Sequence, residues 1–480
     1  MDLRRIAKRL MLEHGFDPDL PAAVPLQLAE LTRHPPAIAA TAAITDLRTL
    51  LWSSIDNDTS RDLDQLEVAD ALADGATRVR VAIADVDTYV PKQSAIDQHA
   101  ARETTTVYTG VSIFPMLPEV LSTDATSLNE DGTRLAMVIE FVVSADGHVT
   151  SSDIYRAVVH NHAQLTYNAV GAWLEGRSPA PEKVAASPAL AAQLRLQDAA
   201  AQALRVERYR HGALNIETIE TRPVITGDQV TSVEKQQKNR ATELIEDFMI
   251  ASNEVVARTL GAVSSIRRIV RTPKRWDRIV ALAAAMGTTL PVAADSRALN
   301  EFLVAQKAAD PDHFADLSLA VIKLMGPGEY VLERPGDPEQ GHFGLAVEDY
   351  THSTAPNRRF ADLVTQRLLK ALLAKQASPY SDAELNDIAR NCTLKADASR
   401  KVEREMSKRI SAVVMSHRVG ETFDAIVTGA GPKGTFVRVL APHIEGMLVR
   451  GQRGADVGDR VRVTLVHTDV DKGFIDFARS

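Results

Sequence analysis

Cysteine is nearly absent from this sequence: Cys392 is the single one in 480 residues. No internal disulfide can form and a thiolate zinc site is excluded, which leaves oxygen and imidazole donors for any metal. A reducing cytoplasm is the setting this predicts. Long apolar runs are missing too. None approaches the ~20 residues needed to cross a bilayer, so no membrane span is expected. The N-terminus MDLRRIAKRLMLEHGF is amphipathic, but it carries Glu13 and His14 and lacks a small-residue cleavage site, so it makes a poor export signal. A basic excess is also lacking, with a formal charge of -8 and a pI ≈ 5.9. That argues against a surface coated for loose duplex binding. It leaves room for a narrow basic channel around an acidic site. What is present is 45% apolar and 25% charged residues, the mix of an ordinary globular chain.

The texture changes along the chain. Residues 1–47 predict two short helices, with Leu3, Ile6, Ala7, Leu10 and Met11 on one face of the first. The pair reads either as a helix-turn-helix-like unit or as helices packed on the main body. From about residue 48 strands dominate: LLWSSID, RVRVAIADVDTYV, and the run RLAMVIEFVVSADGHVTSSDIYRAVV with Asp146-Gly147 as its turn. Helical spacing takes over at 187–206, 241–260 and 360–376. Strands first and helices later predict an α+β fold, with a catalytic domain over 48–390 and a connecting helix within 391–419. Residues 420–480 show about five short strands between Gly, Pro and Asp turns, the pattern of a small OB-type barrel.

The strongest local signal is SSIDNDTSRDLDQLEVAD. Asp56 follows a predicted strand, and Asp62 and Asp64 lie two residues apart on the same side of an extended segment. Carboxylates crowded this way raise one another's pKa unless cations compensate. Hard oxygen donors suit Mg²⁺ or Mn²⁺, and two such ions about 3.5–4 Å apart would activate water and stabilise a leaving oxygen. A solvated acidic turn or a calcium loop reads equally from spacing alone.

In YTHSTAPNRRFADLVTQRLLKA, Arg358 and Arg359 precede an amphipathic helix. They form either a phosphate clamp or a solvated, salt-bridged face. Tyr108, in a Pro-bounded segment, is either a base-stacking platform or core. In the terminal barrel Phe423, Phe436 and Phe474 interleave with Lys433, Arg438 and Lys472. Residues 395–480 carry 15 Lys or Arg against 11 Asp or Glu, so the basic bias is local to this end. Single-stranded nucleic acid or a protein partner would both suit such a barrel.

Together SIDNDTSRDLDQL, VAIADVDTYV, VYTGVSIFPMLPEVLS, SLNEDGTRLAM, HGALNI, ATELIEDFMIASNEVVA, HFGLAVEDYTHSTAPNRRFADLVTQRLLKA and the S1-like end resemble the ribonuclease II/R (RNB) family over most of residues 50–480. The resemblance implies a processive 3′-to-5′ exoribonuclease that threads single-stranded RNA to a buried two-metal site and releases nucleoside 5′-monophosphates. It maps Asp56, Asp62 and Asp64 onto three of four catalytic aspartates. It gives Tyr108 to stacking on terminal nucleotides, and Arg358, with Arg359 beside it, to the scissile phosphate. Glu403 falls near the terminal sugar and Trp276 on a second stacking aromatic, while Phe436 and Lys433 become barrel contacts to RNA.

Two departures stand out, at position 65 and at the N-terminus, beside a softer change around the arginines. The fourth aspartate position holds Gln65, a neutral and weaker ligand, with Glu67 two residues on. STAPNRRF stands where the family usually has TSPIRRY. The resemblance also implies two cold-shock barrels ahead of the catalytic domain, and residues 1–47 are too few for one. The expectation is therefore a monomeric Mg²⁺- or Mn²⁺-dependent exoribonuclease on single-stranded RNA. The other class left open is an RNA-binding scaffold of the same fold with weak or no activity.

Overall fold

The computed structural model describes residues 2–218, 220–226, 229–236, 238–311, 313–338, 340–431 and 434–480. Lys433 lies outside them. The strand-rich half builds one sheet from β1 (Thr45–Asp46), β2 (Trp52–Asp56), β3 (Gln65–Ala71), β4 (Thr77–Ala84), β5 (Thr133–Val143) and β6 (Val149–Thr166). Its order is β1-β6-β2-β3-β4-β5, and β5 pairs again with β6, so the sheet curls back on itself. Closure buries both faces. β4 accordingly buries Val81, Ala82, Ile83 and Ala84 in succession, where an open sheet would show alternation. The β5–β6 turn contains Gly147 at φ 90, and a Cβ there would strike the Ala203 carbonyl at 2.1 Å. Only glycine fits this turn against the helix behind it.

Six helices matter for the site. α1 (Leu3–Glu13) and α2 (Ala23–Arg33) form the N-terminal pair, and α3 (Pro188–Arg210) and α4 (Arg240–Thr259) cover the sheet. Phe248 of α4 meets Phe141 of β5 edge-on, with ring centroids 6.1 Å apart. α5 (Phe360–Leu373) buries nearly all of its length. The connecting helix α6 is longer than expected, running unbroken from Asp382 to Ser416. Ser381 and Glu384 close a capping box at its start, so the expected boundary near 390/391 falls inside one helix.

The N-terminal pair packs on the main body. Ile6, Ala7, Leu10 and Met11 bury one stripe of α1 against Val107, Val402 and Met406. This places α1 behind both Tyr108 and the α6 turn that bears Glu403.

The C-terminal strands β7 (Thr422–Gly431), β8 (Gly434–Val439), β9 (Ile444–Arg450), β10 (Arg460–Asp469) and β11 (Phe474–Arg479) close a barrel in the order β7-β8-β9-β11-β10. Arg438 of β8 ties it to the catalytic body through a half-buried pair with Asp316 at 2.6 Å. The α+β architecture with a terminal five-stranded barrel matches the expectation. Among the described residues no helix is long and apolar enough to cross a membrane.

Candidate active site

β2 ends at Asp56 and β3 begins at Gln65, so residues 57–64 form a loop at one end of the sheet. The loop is pinned from inside. Leu63 is fully buried, its N–H donates to Ser127 Oγ at 2.9 Å, and its carbonyl accepts from Leu128 N at 3.0 Å. The polar residues that flank Leu63, Asp62 and Asp64, are thereby held at fixed positions.

Asp64 is 2% exposed and is the most constrained of the three aspartates. Arg358 Nε donates to its Oδ2 at 3.0 Å, and the Asn357 backbone N–H donates to its Oδ1 at 3.2 Å. Burial pushes its carboxyl up to about 7 against the pull of Arg358, with Asp62 adding to the rise. Asp62 accepts from the Tyr108 hydroxyl at 3.0 Å. Asp56 accepts from Asn57 N at 2.7 Å and Ser60 Oγ at 2.9 Å. Burial raises its pKa as well, against those donors and Arg358.

A backbone ladder brings Tyr108 and Arg358 to the acidic loop. Thr106 N donates to the Arg358 carbonyl at 3.0 Å and Phe360 N to the Thr104 carbonyl at 2.8 Å. This stitches the start of α5 to the segment that leads into Tyr108. Tyr108 is 39% exposed and Arg358 keeps 46% of its side chain open, although dense protein surrounds both. Both side chains are crowded by protein yet reached by water. Glu403 comes to the same place from α6: Ser399 Oγ donates to it at 2.7 Å, and the Tyr108 backbone N–H also bonds its carboxylate. Asp56, Asp62, Asp64, Tyr108, Arg358 and Glu403 thus belong to one constellation.

Other expected residues do not join it. Arg359 bonds Asp362 at 2.7 Å and Thr354 Oγ1 at 3.4 Å. Asp362, fully buried, also accepts from Ala355 N at 2.8 Å. Arg359 therefore braces the 354–362 turn and is not the second arm of a phosphate clamp. The stacking role for Trp276 is corrected. It is 6% exposed, packs edge-on against Phe343 and donates its indole N–H to the Pro291 carbonyl at 2.9 Å. It is the core of a separate helical cluster. Phe423 is core as well, edge-on to Phe477. Phe474, 54% exposed, keeps an open ring, and Phe436 is half-buried.

Two residues were passed over. Asn357 holds Asp64 through its backbone and accepts from Thr126 Oγ1 at 2.5 Å. Its signal was present, as one of the changes in STAPNRRF. Tyr167 follows β6 and is electrostatically coupled to Asp56, Glu67 and Arg358. Its neighbours in sequence carry no motif, so only the pairing of β6 with β2 reveals it.

Gln65 is 6% exposed at the head of β3, and Glu67 is fully buried on the same strand. Both Glu67 carboxylate oxygens lack a hydrogen-bond partner among the described residues. Among those residues no three carboxylate, imidazole or thiol groups are gathered tightly enough to hold an ion as they stand. The donor set still suits a hard divalent cation. It is all oxygen, three aspartates share one nearby guanidinium, and a fourth carboxylate is buried without a partner.

Behind Arg359 lies a stack of rings in which Tyr350 is edge-on to both His342 and His352. Burial and then Arg268 push His342 down to about 4, and its Nδ1 accepts from Leu345 N at 3.1 Å. The ring is neutral when folded and takes a proton more readily once unfolded. Its stabilising contribution is complete above about pH 6.5 and is lost as pH falls toward 4. Unfolding free energies from denaturant titrations at pH 7.5 and pH 5 should differ by about 2 kcal/mol from this group, and His342→Gln should flatten that part of the slope.

The RNB domain family matches residues 44–375, and the RNase II-type exonuclease C-terminal S1 domain matches residues 421–480. Ribonuclease R of Vibrio cholerae is 30% identical across 97% of this chain and 60% of its own length. Ribonuclease R of Escherichia coli is 29% identical across 95% and 60%. The chain thus spans about 60% of the length of these curated relatives. Mycoplasma genitalium RNase R in complex with ribose-methylated single-stranded RNA shares the fold at TM-score 0.87 and 22% identity, covering 100% of this chain and 78% of that one. Yeast Ssd1, a pseudonuclease, shares it at TM-score 0.74 and 16% identity, covering 96% of this chain and 57% of that one.

Proposed function

Because the chain belongs to the RNB family, we propose that it is a processive, hydrolytic 3′-to-5′ exoribonuclease on single-stranded RNA that releases nucleoside 5′-monophosphates. The observation that carries this reading is the convergence of Asp56, Asp62 and Asp64 with Arg358, Tyr108 and Glu403 in one constellation that water reaches. Ribonuclease R relatives and a structure holding single-stranded RNA support it. A monomeric state and a reducing cytoplasm complete the reading, the latter supported by a lone, buried Cys392.

Divalent Mg²⁺, or Mn²⁺, held by Asp56, Asp62 and Asp64 with the Gln65 carboxamide alongside, would supply an activated water and neutralise the leaving oxygen. The chain's own groups do the rest. The Tyr108 ring, open to water, stacks on a terminal base, a contact worth about 1–3 kcal/mol whatever the base. Arg358 gives Nε to Asp64, which leaves its two Nη groups to face a phosphate. Glu403 fixes the Tyr108 backbone and offers its carboxylate to the terminal sugar. Asn357 holds Asp64 in register with both.

Labelled RNA tests this. With Mg²⁺ or Mn²⁺, a 3′-labelled single strand should release mononucleotide at once, a 5′-labelled one should shorten stepwise, and EDTA should stop both. Internal products from both labels would indicate an endonuclease. Gln65 and the likeness to a pseudonuclease fold favour one other reading, an RNA-binding scaffold; tight binding without turnover in either metal would establish it.

The barrel is proposed to guide incoming RNA. Deleting residues 420–480 should weaken binding of long RNA by more than tenfold, the scale of one stacked base and a few phosphate contacts. Cleavage of a short oligonucleotide should change much less. Equal losses in both assays would contradict a guiding role.

A further inference from the structure

Glu67 presents an electrostatic imbalance. It lies in the middle of the sheet, where the register pairs it with Ser53 on one side and Val81 on the other. Val81 continues to Ile139 of β5, so the strand-to-strand row through Glu67 is otherwise aliphatic beyond Ser53. Glu67 is fully buried, and neither carboxylate oxygen has a hydrogen-bond partner among the described residues. The charged group that bears on it is Asp56, another acid. Among the described residues no arginine or lysine compensates it, unlike buried Asp85, which has Lys370 and Arg156, or Asp247, which has Arg205 and Arg208. Burying an uncompensated anion is costly, and aliphatic residues of similar volume are readily tolerated in such a row.

Position on the strand supplies the other half of the argument. Gln65 and Glu67 are two residues apart on β3 and share one face of the sheet. Gln65 brings a neutral amide oxygen where the aspartate cluster lacks a further charge. Glu67, one step deeper on the same face, has a side chain one methylene longer than aspartate and no hydrogen-bond partner among the described residues. Tyr167 is coupled to both Asp56 and Glu67, which puts the two acids in one neighbourhood across β2 and β3.

We propose that Glu67 supplies the fourth carboxylate of the divalent-cation site, reaching toward Asp56 in place of an aspartate at position 65. The proposal rests on the metal-dependent reading above and deepens it. A cation balances the buried charge that the chain leaves unbalanced, and Gln65 adds only a weak, neutral donor at the head of the strand.

The test is Mn²⁺ binding to the full chain without RNA, followed by the loss of the free-ion electron paramagnetic resonance signal. Glu67→Gln keeps the side chain's size and removes its charge. It should weaken at least one Mn²⁺ site tenfold or more while its melting temperature in EDTA stays level or rises. Adding Gln65→Asp to that variant should restore the affinity to within about threefold of the parent, since a carboxylate returns to the same face. Glu67→Asp, charged but shorter, is the check if Glu67→Gln folds poorly, and it should also bind less tightly. Parent-like Mn²⁺ affinity in a folded Glu67→Gln chain would overturn the proposal and make Glu67 a buried neutral acid. Failure of the parent to bind Mn²⁺ would instead remove the metal-dependent reading itself, and this proposal with it.

Discussion

Asp64→Asn is expected to lower turnover on a 3′-labelled single strand by about 10³-fold or more, a loss of roughly 4 kcal/mol of transition-state stabilisation. RNA affinity should hold or rise. The two outcomes follow from what Asp64 touches. Its Oδ1 accepts from the Asn357 N–H and its Oδ2 from Arg358 Nε. Asparagine has the same shape and keeps an oxygen for the Asn357 donor, so the loop stays in place. What disappears is the charge that a cation needs and that engages Arg358. A guanidinium released from its carboxylate is a better phosphate ligand. Turnover and a filter-binding isotherm on the same oligonucleotide decide it: lost affinity with turnover intact would place Asp64 on substrate rather than on a metal.

Arg358→Ala should lower turnover by about 10²–10³-fold, the usual cost of removing a preorganised donor from a site of developing charge. Arg358→Lys should recover binding but little of the rate. Lysine carries the charge on one point, whereas arginine donates Nε to Asp64 and presents two further donors in a fixed fork. A kcat-against-KM comparison of the three proteins separates these effects. An alanine variant with nearly parental kcat would return Arg358 to a surface role.

How much of this was legible beforehand varied with the range of the interaction. The acidic loop, the arginine pair and the hairpin turn at Asp146-Gly147 rest on spacing within a few residues, and all were readable. The extent of α6 was not, because the capping box at Ser381 and Glu384 lies upstream of the stretch whose periodicity drew attention. Trp276 misled for a related reason. The family resemblance gave it a stacking role, yet Phe343, about seventy positions away, and the Pro291 carbonyl claim its ring and its N–H. Arg359 and Arg358 are adjacent and chemically identical, so nothing local says that one braces Asp362 while the other faces Asp64.

The sequence by itself determined the chemistry available: an oxygen-rich acidic loop, an arginine at a helix start, a tyrosine in a Pro-bounded ribbon, and a basic-biased terminal barrel. Residue type and short-range periodicity encode those properties directly. Tertiary structure alone decided which groups meet. Tyr108 reaches Asp62 and Glu403 because the 104–106 segment is laddered to 358–360 and backed by α1. Glu67 lies opposite Ser53, on the strand that ends at Asp56, because β2 and β3 pair on either side of the acidic loop. Burial and charge compensation depend on neighbours tens to hundreds of residues away, so they exist only once the sheet has closed.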